Sequence, residues 1–181
     1  MRTTLVPILL VVCTAFAGCG KLDEHKVRAF IDRADDTSRK LYAPHICALR
    51  GKDFVLHLKF QADNPRLPPS ELDMSRKMFC MAAAQNAWLR QYQLERKSLE
   101  VELSADRKTA RVTAEYTETL PYFEPDIRPA SPFDFRQFQV LETRDDSVVG
   151  IESGDLVFLS TTADVHQTLV AKESLDVPVI N

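Results

Sequence analysis

Between Leu99 and Tyr116 apolar and polar residues alternate one for one in two runs, a pattern that commits a chain to burying one face of a sheet. Leu99, Val101 and Leu103 alternate with Glu100 and Glu102, and Val112, Ala114 and Tyr116 with Arg111, Thr113 and Glu115. Ala105-Asp106-Arg107-Lys108 between them reads as a turn, so the pair predicts a hairpin with one wet face. Phe54, Leu56, Leu58 and Phe60 follow the same period earlier, against Asp53, Val55, His57 and Lys59, with Gly51 as the turn signal ahead of them. Phe133, Phe135, Phe138 and Val140 predict a further strand whose parity slips by one, the mark of a β-bulge that bends a sheet. Residues 147–151 and 155–161, joined through Ser153-Gly154, predict a closing hairpin, and residues 120–132 a loop holding four prolines.

Helical spacing appears twice. Over residues 22–42, Val27, Phe30, Ala34 and Leu41 fall on one face while Asp32, Arg33, Asp36 and Arg39 fall elsewhere. After Pro68-Pro69, Ser70 and Asp73 have the spacing of a capping box, predicting a second helix from Ser70 toward Arg96. Met74, Met78, Met81, Trp88, Leu89 and Tyr92 share one side of it, with Phe79 and Ala83 opposite, so both sides are expected to be covered. Helix, strand, helix and then a run of strands is the order of an α+β fold with N-terminal helices packed on a curved antiparallel sheet.

The first residues carry a different signal. Arg2 is basic, residues 5–12 are apolar except Pro7, and small residues follow at Ala15, Ala17 and Gly18. An apolar stretch of about a dozen residues is too short for a membrane-spanning helix, which needs roughly 20. Phe16-Ala17-Gly18-Cys19 resembles the lipobox of bacterial lipoprotein precursors, with Phe in the place of the usual Leu; Ala15-Phe16-Ala17 also fits an ordinary secretory cleavage site. The resemblance implies a signal peptide over 1–18, a lipidated Cys19 with a spacer over 19–21, one domain over 22–161 and a C-terminal tail over 162–181. Gly20 after the anchor implies, in a diderm source, an outer-membrane address facing the periplasm. Of the four cysteines, Cys13 then leaves with the signal and Cys19 becomes a thioether, so Cys47 and Cys80 remain as a matched pair for one disulfide in an oxidising compartment. The rival is a thiol or metal site, but their spacing is not C-x-x-C.

Cleavage before Cys19 would leave 163 residues of net charge −4, since Arg2 is the one charge lost from 23 basic and 26 acidic residues. Such a chain lacks the basic excess that binding to phosphate backbones requires, so no nucleic-acid partner is expected. His25, His45, His57 and His166 are scattered without ligand spacing, which argues against a metal. No glycine loop of the phosphate-cradling kind and no nucleophile elbow is visible, so no cofactor is expected.

The element order, the segment Lys52-Asp53-Phe54-Val55-Leu56-His57 and the bent terminal hairpins together resemble the NTF2-like superfamily over most of residues 22–161. A cystatin-like helix-on-sheet fold fits the same order. The NTF2-like resemblance implies a cone whose interior, in the enzymes of that superfamily, holds an acid–base pair of Asp, His or Tyr. Trp88, Tyr116 and Gln85 are the cavity candidates in this chain, with no ionisable partner evident for Tyr116, which argues against an enzyme. The proline-rich loop offers Tyr122, Phe123, Ile127 and Arg128, residue types enriched at binding anchors, unless its aromatics fold back over the open end of the sheet. The expectation is therefore a membrane-anchored, non-catalytic envelope lipoprotein that binds another protein, as an envelope-assembly subunit or an immunity-type inhibitor. The alternative is a small-molecule binder or enzyme using the cone. A cavity of some hundreds of Å³ with converging polar groups separates the two.

Overall fold

The computed structural model describes residues 21–86, 92–122 and 137–175. Asp23 opens the first helix by accepting the Lys26 N–H at 2.9 Å, and α1 runs over Glu24–Arg39. Val27, Phe30, Ile31 and Ala34 are buried along one side, as the spacing predicts, with Phe30 packed 4.9 Å from Phe158. Leu41 then takes a positive φ of 50°, which stops the helix short of Tyr42. A short α2 over Ala43–Ala48, with Pro44 in its first turn, leads into the sheet.

The strands are β1 (Arg50–Ala62), β2 (Ser70–Ser75), β3 (Gln93–Leu103), β4 (Thr109–Pro121), β5 (Gln137–Glu152) and β6 (Asp155–Ala171). They form one sheet in the order β2-β1-β6-β5-β4-β3. Every neighbouring pair is antiparallel except β1–β6, which is parallel, so the sheet is mixed. The last strand slots in beside β1 after a long crossover, the connection that parallel pairing demands. Register shifts at Arg50/Val55, Arg96/Ser98 and Val148/Val149 give it its curvature. Ser153 and Gly154, both at positive φ, make the tight β5–β6 turn with the backbone handedness such hairpins favour.

Four sequence expectations are corrected. The Ser70/Asp73 capping box does not start a helix. Residues 70–75 pair with β1 as an edge strand, Leu72 opposite Leu58 and Met74 opposite Leu56. Period-two alternation of Leu72 and Met74 wins there because β1 offers an unpaired edge. The helix α3 covers Arg76–Asn86, and its first turn is met by Ser75, whose hydroxyl accepts the Met78 N–H at 3.4 Å. Nor are both sides of α3 covered: Met78 and Met81 are about half exposed, at 48% and 56%, and Phe79 is the side chain that packs against the core. Finally, residues 162–171 of the expected C-terminal tail are strand. β6 runs on to Ala171, pairing with β1 and β5 on either side, and β5 is one strand where two were predicted.

Cys47 of α2 and Cys80 of α3 form the expected disulfide, with Cα atoms 5.5 Å apart. Arg76 reinforces that corner by donating to the Arg50 carbonyl at 3.0 Å and the Cys47 carbonyl at 3.1 Å. At the other end of α1, Leu22 is buried, and its N–H donates to the Arg107 carbonyl in the β3–β4 turn at 2.8 Å.

Candidate binding cavity

The concave face of the sheet and the three helices enclose a cavity of about 410 Å³. Its walls are mostly apolar, with Ile31, Phe54, Phe79, Val112 and Phe158 among them. Into it project side chains from the same strand faces that build the core. Because residues two apart share a face, β4 directs Val112, Ala114, Tyr116 and Glu118 inward, and β5 directs Thr143, Asp145 and Ser147 inward.

The polar groups fall into three sets. Asp35, on the buried side of α1, accepts from Arg96 Nη1 at 2.6 Å and from the Tyr116 hydroxyl at 3.2 Å. Arg96 also donates to Asp32 at 2.7 Å, so α1 is pinned to β3 through one guanidinium. Burial pushes the Asp35 carboxyl above its usual range, against the pull of Arg96 and Tyr116. The second set is Tyr92 and Glu118, joined by a 2.6 Å bond that the phenol donates. Burial raises both groups, and the Tyr92 bond draws Glu118 part of the way back.

Asp145 is the third. Burial, reinforced by the charge of Glu118, lifts its carboxyl to about 7, while Arg50 opposes the rise. A carboxyl poised there can hold or give up a proton near neutral pH, a requirement of general acid–base chemistry. Arg50, at the start of β1, lies between Phe54, Phe79 and Phe158 and also lines the cavity.

Of the cavity residues named from sequence, Tyr116 is in place, Gln85 is exposed on α3 and does not line the cavity, and Trp88 lies outside the described residues. Helical spacing puts Gln85 inward with the methionine side of α3, and that side is the open one. The missing partner of Tyr116 is Asp35. Its position shows in the sequence: Asp35 follows Val27 and Ile31 at intervals of four, on the apolar side of α1. Glu118 and Asp145 likewise sit on buried strand parities, where a charge breaks the pattern. Tyr122 is partly buried, its N–H donating to the Gln137 carbonyl at 3.0 Å. Phe123, Ile127, Arg128 and Cys19 lie outside the described residues. His57 is exposed on the outer face, 2.6 Å from Asp73. Among the described residues no group of three or more His, Cys, Asp or Glu side chains is placed to hold a metal ion, and no helix is long and apolar enough to cross a membrane.

A bent sheet wrapped round a mostly apolar interior with a few polar groups, and covered by helices, defines an α+β cone. Solved structures of the same shape give that architecture a name. A protein assigned as a scytalone dehydratase from Novosphingobium aromaticivorans superposes with a TM-score of 0.56 at 10% identity, over 78% of this chain and 82% of its own. A hexachlorocyclohexane dehydrochlorinase gives 0.57 at 9% identity, over 85% and 93%. An NTF2-like protein of unknown function from Pseudomonas putida gives 0.53 at 12% identity, over 78% and 84%. The fold is NTF2-like, which settles the choice between the two helix-on-sheet architectures that the sequence left open. No family model and no curated protein matches the sequence.

Proposed function

We propose that this domain binds a small, largely apolar organic molecule inside the cone. The observation that carries the reading is the cavity of about 410 Å³, with Asp35, Tyr116, Glu118 and Asp145 converging from three elements. Ligand sites combine these properties: a concave apolar volume and a few fixed polar groups. Protein binding at residues 120–133 rests on Tyr122, Phe123, Ile127 and Arg128, the last three of which lie outside the described residues, so the cavity reading leads.

A melting-temperature screen against apolar ketones, acids and phenols tests it. Compounds that occupy the cone raise the melting temperature with the logarithm of their concentration above Kd; a ligand at a hundred times its Kd adds about 2.7 kcal/mol. Ala83→Phe, which fills the cavity from α3, is expected to cut that stabilisation at least ten-fold. A wild type that no compound stabilises, or shifts that survive Ala83→Phe, would rule the reading out.

A second reading adds catalysis. Asp145, near neutrality in its proton affinity, supports proton transfer to or from the bound molecule, with the Tyr116–Asp35 and Tyr92–Glu118 pairs as hydrogen-bonding groups beside it. The dehydratase and dehydrochlorinase among the structural neighbours share the fold at about a tenth identity and lend this reading nothing further.

The proposal includes the address read from Phe16-Ala17-Gly18-Cys19: export and attachment of Cys19 to the envelope membrane. Cell fractionation of Cys19→Ser is expected to move the protein from the membrane pellet to the soluble fraction without changing its melting temperature. Identical distribution of variant and wild type would remove the anchor.

A further inference from the structure

We propose that Arg50 is the anion-recognising residue of the cone and that the ligand is an apolar molecule ending in a carboxylate. This rests on the cavity-binding reading above and narrows it.

The guanidinium carbon of Arg50 lies 4.3 Å from the ring centre of Phe158, 4.7 Å from that of Phe79 and 5.2 Å from that of Phe54. Rings at that distance stabilise a cation through their faces but accept none of its N–H groups in the manner of an oxygen. Nε and Nη1 are buried without a hydrogen-bond partner among the described residues. Buried donors without partners are rare in native proteins, and leaving one unmade is costly, more so when the group is charged. Burial lowers the proton affinity of Arg50 only to about 10, so it stays a cation at neutral pH.

The carboxylates of the cavity do not fill the gap. Asp35 is taken by Arg96 and Tyr116, and Glu118 by Tyr92. Asp145 acts on Arg50 through its charge, yet Nε and Nη1 remain unbonded. The Arg50 carbonyl is held by Arg76, and the guanidinium itself is packed among the three rings. The site is thus a buried, aromatic-walled cation short of oxygen acceptors. Nε–H and Nη1–H point to different edges of the guanidinium, so a carboxylate reaches one of them, forked with Nη2, and brings the negative charge that a neutral carbonyl lacks. The apolar remainder of the cavity takes the body of the molecule.

Titration calorimetry of the purified protein with decanoate, 1-decanol and decylamine, equal in chain length, tests this. Decanoate is expected to bind at least ten-fold more tightly than decanol in the wild type, with decylamine weakest, and Arg50→Met is expected to abolish the preference for the acid. A wild type that binds decanol as well as decanoate, or decylamine better, overturns the role of Arg50 while the cavity reading stands. Binding of none of the three overturns both. A preference for decanoate that persists in Arg50→Met assigns the anion to another residue. Should that variant not fold, the Arg50 Nε–H resonance of the wild type decides: it shifts with decanoate and not with decanol if the carboxylate sits on it, and stays unmoved if the proposal is wrong.

Discussion

Between about pH 4 and pH 7 the wild-type protein is expected to lose stability on the order of 4 kcal/mol through Asp145 alone, and Asp145→Asn is expected to remove that loss. In the unfolded chain the carboxyl titrates at its ordinary value of 3.8, and in the fold at about 7. Across that window the folded state therefore holds a proton that the unfolded state has released. A raised carboxyl contributes stability that is fully present below its unfolded value and lost as pH rises through its folded one. Each unit of displacement is worth about 1.36 kcal/mol, which sets the size of the effect. Asp35 and Glu118 are displaced in the same direction, so the variant keeps a shallower slope rather than none. Urea midpoints measured from pH 4.5 to 8.5 check this. Variant and wild type should agree at the acid end, with the variant more stable at pH 8. Parallel curves would mean that Asp145 is ionised in the fold at neutral pH.

Reduction of the Cys47–Cys80 disulfide is expected to lower the melting temperature by about 10 °C. Closing a loop of 33 residues removes about 3 to 4 kcal/mol of chain entropy from the unfolded state in the entropic account of cross-links. For a chain of this size each kcal/mol moves the midpoint by roughly 2–4 °C. The bond joins α2 to α3 at the corner where Arg76 grips the Cys47 and Arg50 carbonyls, so reduction leaves two hydrogen bonds holding the same junction. Cys80→Ser should reproduce the shift without reductant and show no further change when reductant is added. Equal melting temperatures with and without reductant would show that the tether contributes nothing to stability.

The parts of the fold legible from sequence are those in which one period dominates. Val27, Phe30 and Ala34 identify the buried side of α1, and Phe54, Leu56 and Leu58 that of β1, because local spacing alone decides each of them. The β3–β4 hairpin is legible for the same reason. Ser70–Ser75 is not, since Ser70 and Asp73 fit a helix cap while Leu72 and Met74 fit a strand, and only the free edge of β1 decides between them. The site was harder still. Tyr116 shows itself by parity, but Asp35 lies 81 positions away on a helix, and pairwise contact across that distance leaves no spacing signal. What remains visible is the misfit of a charge on a buried face, and Asp35, Glu118 and Asp145 are all such misfits. Arg50, just ahead of the alternating run, breaks no pattern and would be found only in three dimensions.

The bond from Leu22 to Arg107 bears on more than the start of α1. Leu22 is three residues after Cys19 in sequence. Three residues of extended chain reach only about 10 Å, at roughly 3.3–3.6 Å each. Under the lipid-anchor proposal, the β3–β4 turn with Asp106, Arg107 and Lys108 is then held at the depth of the lipid headgroups. A domain on so short a leash samples the membrane surface and little of the space beyond it. Under that same proposal the molecules it meets first are those that partition into the bilayer, and the turn facing the lipid would be shielded from any antibody or protease approaching from solution.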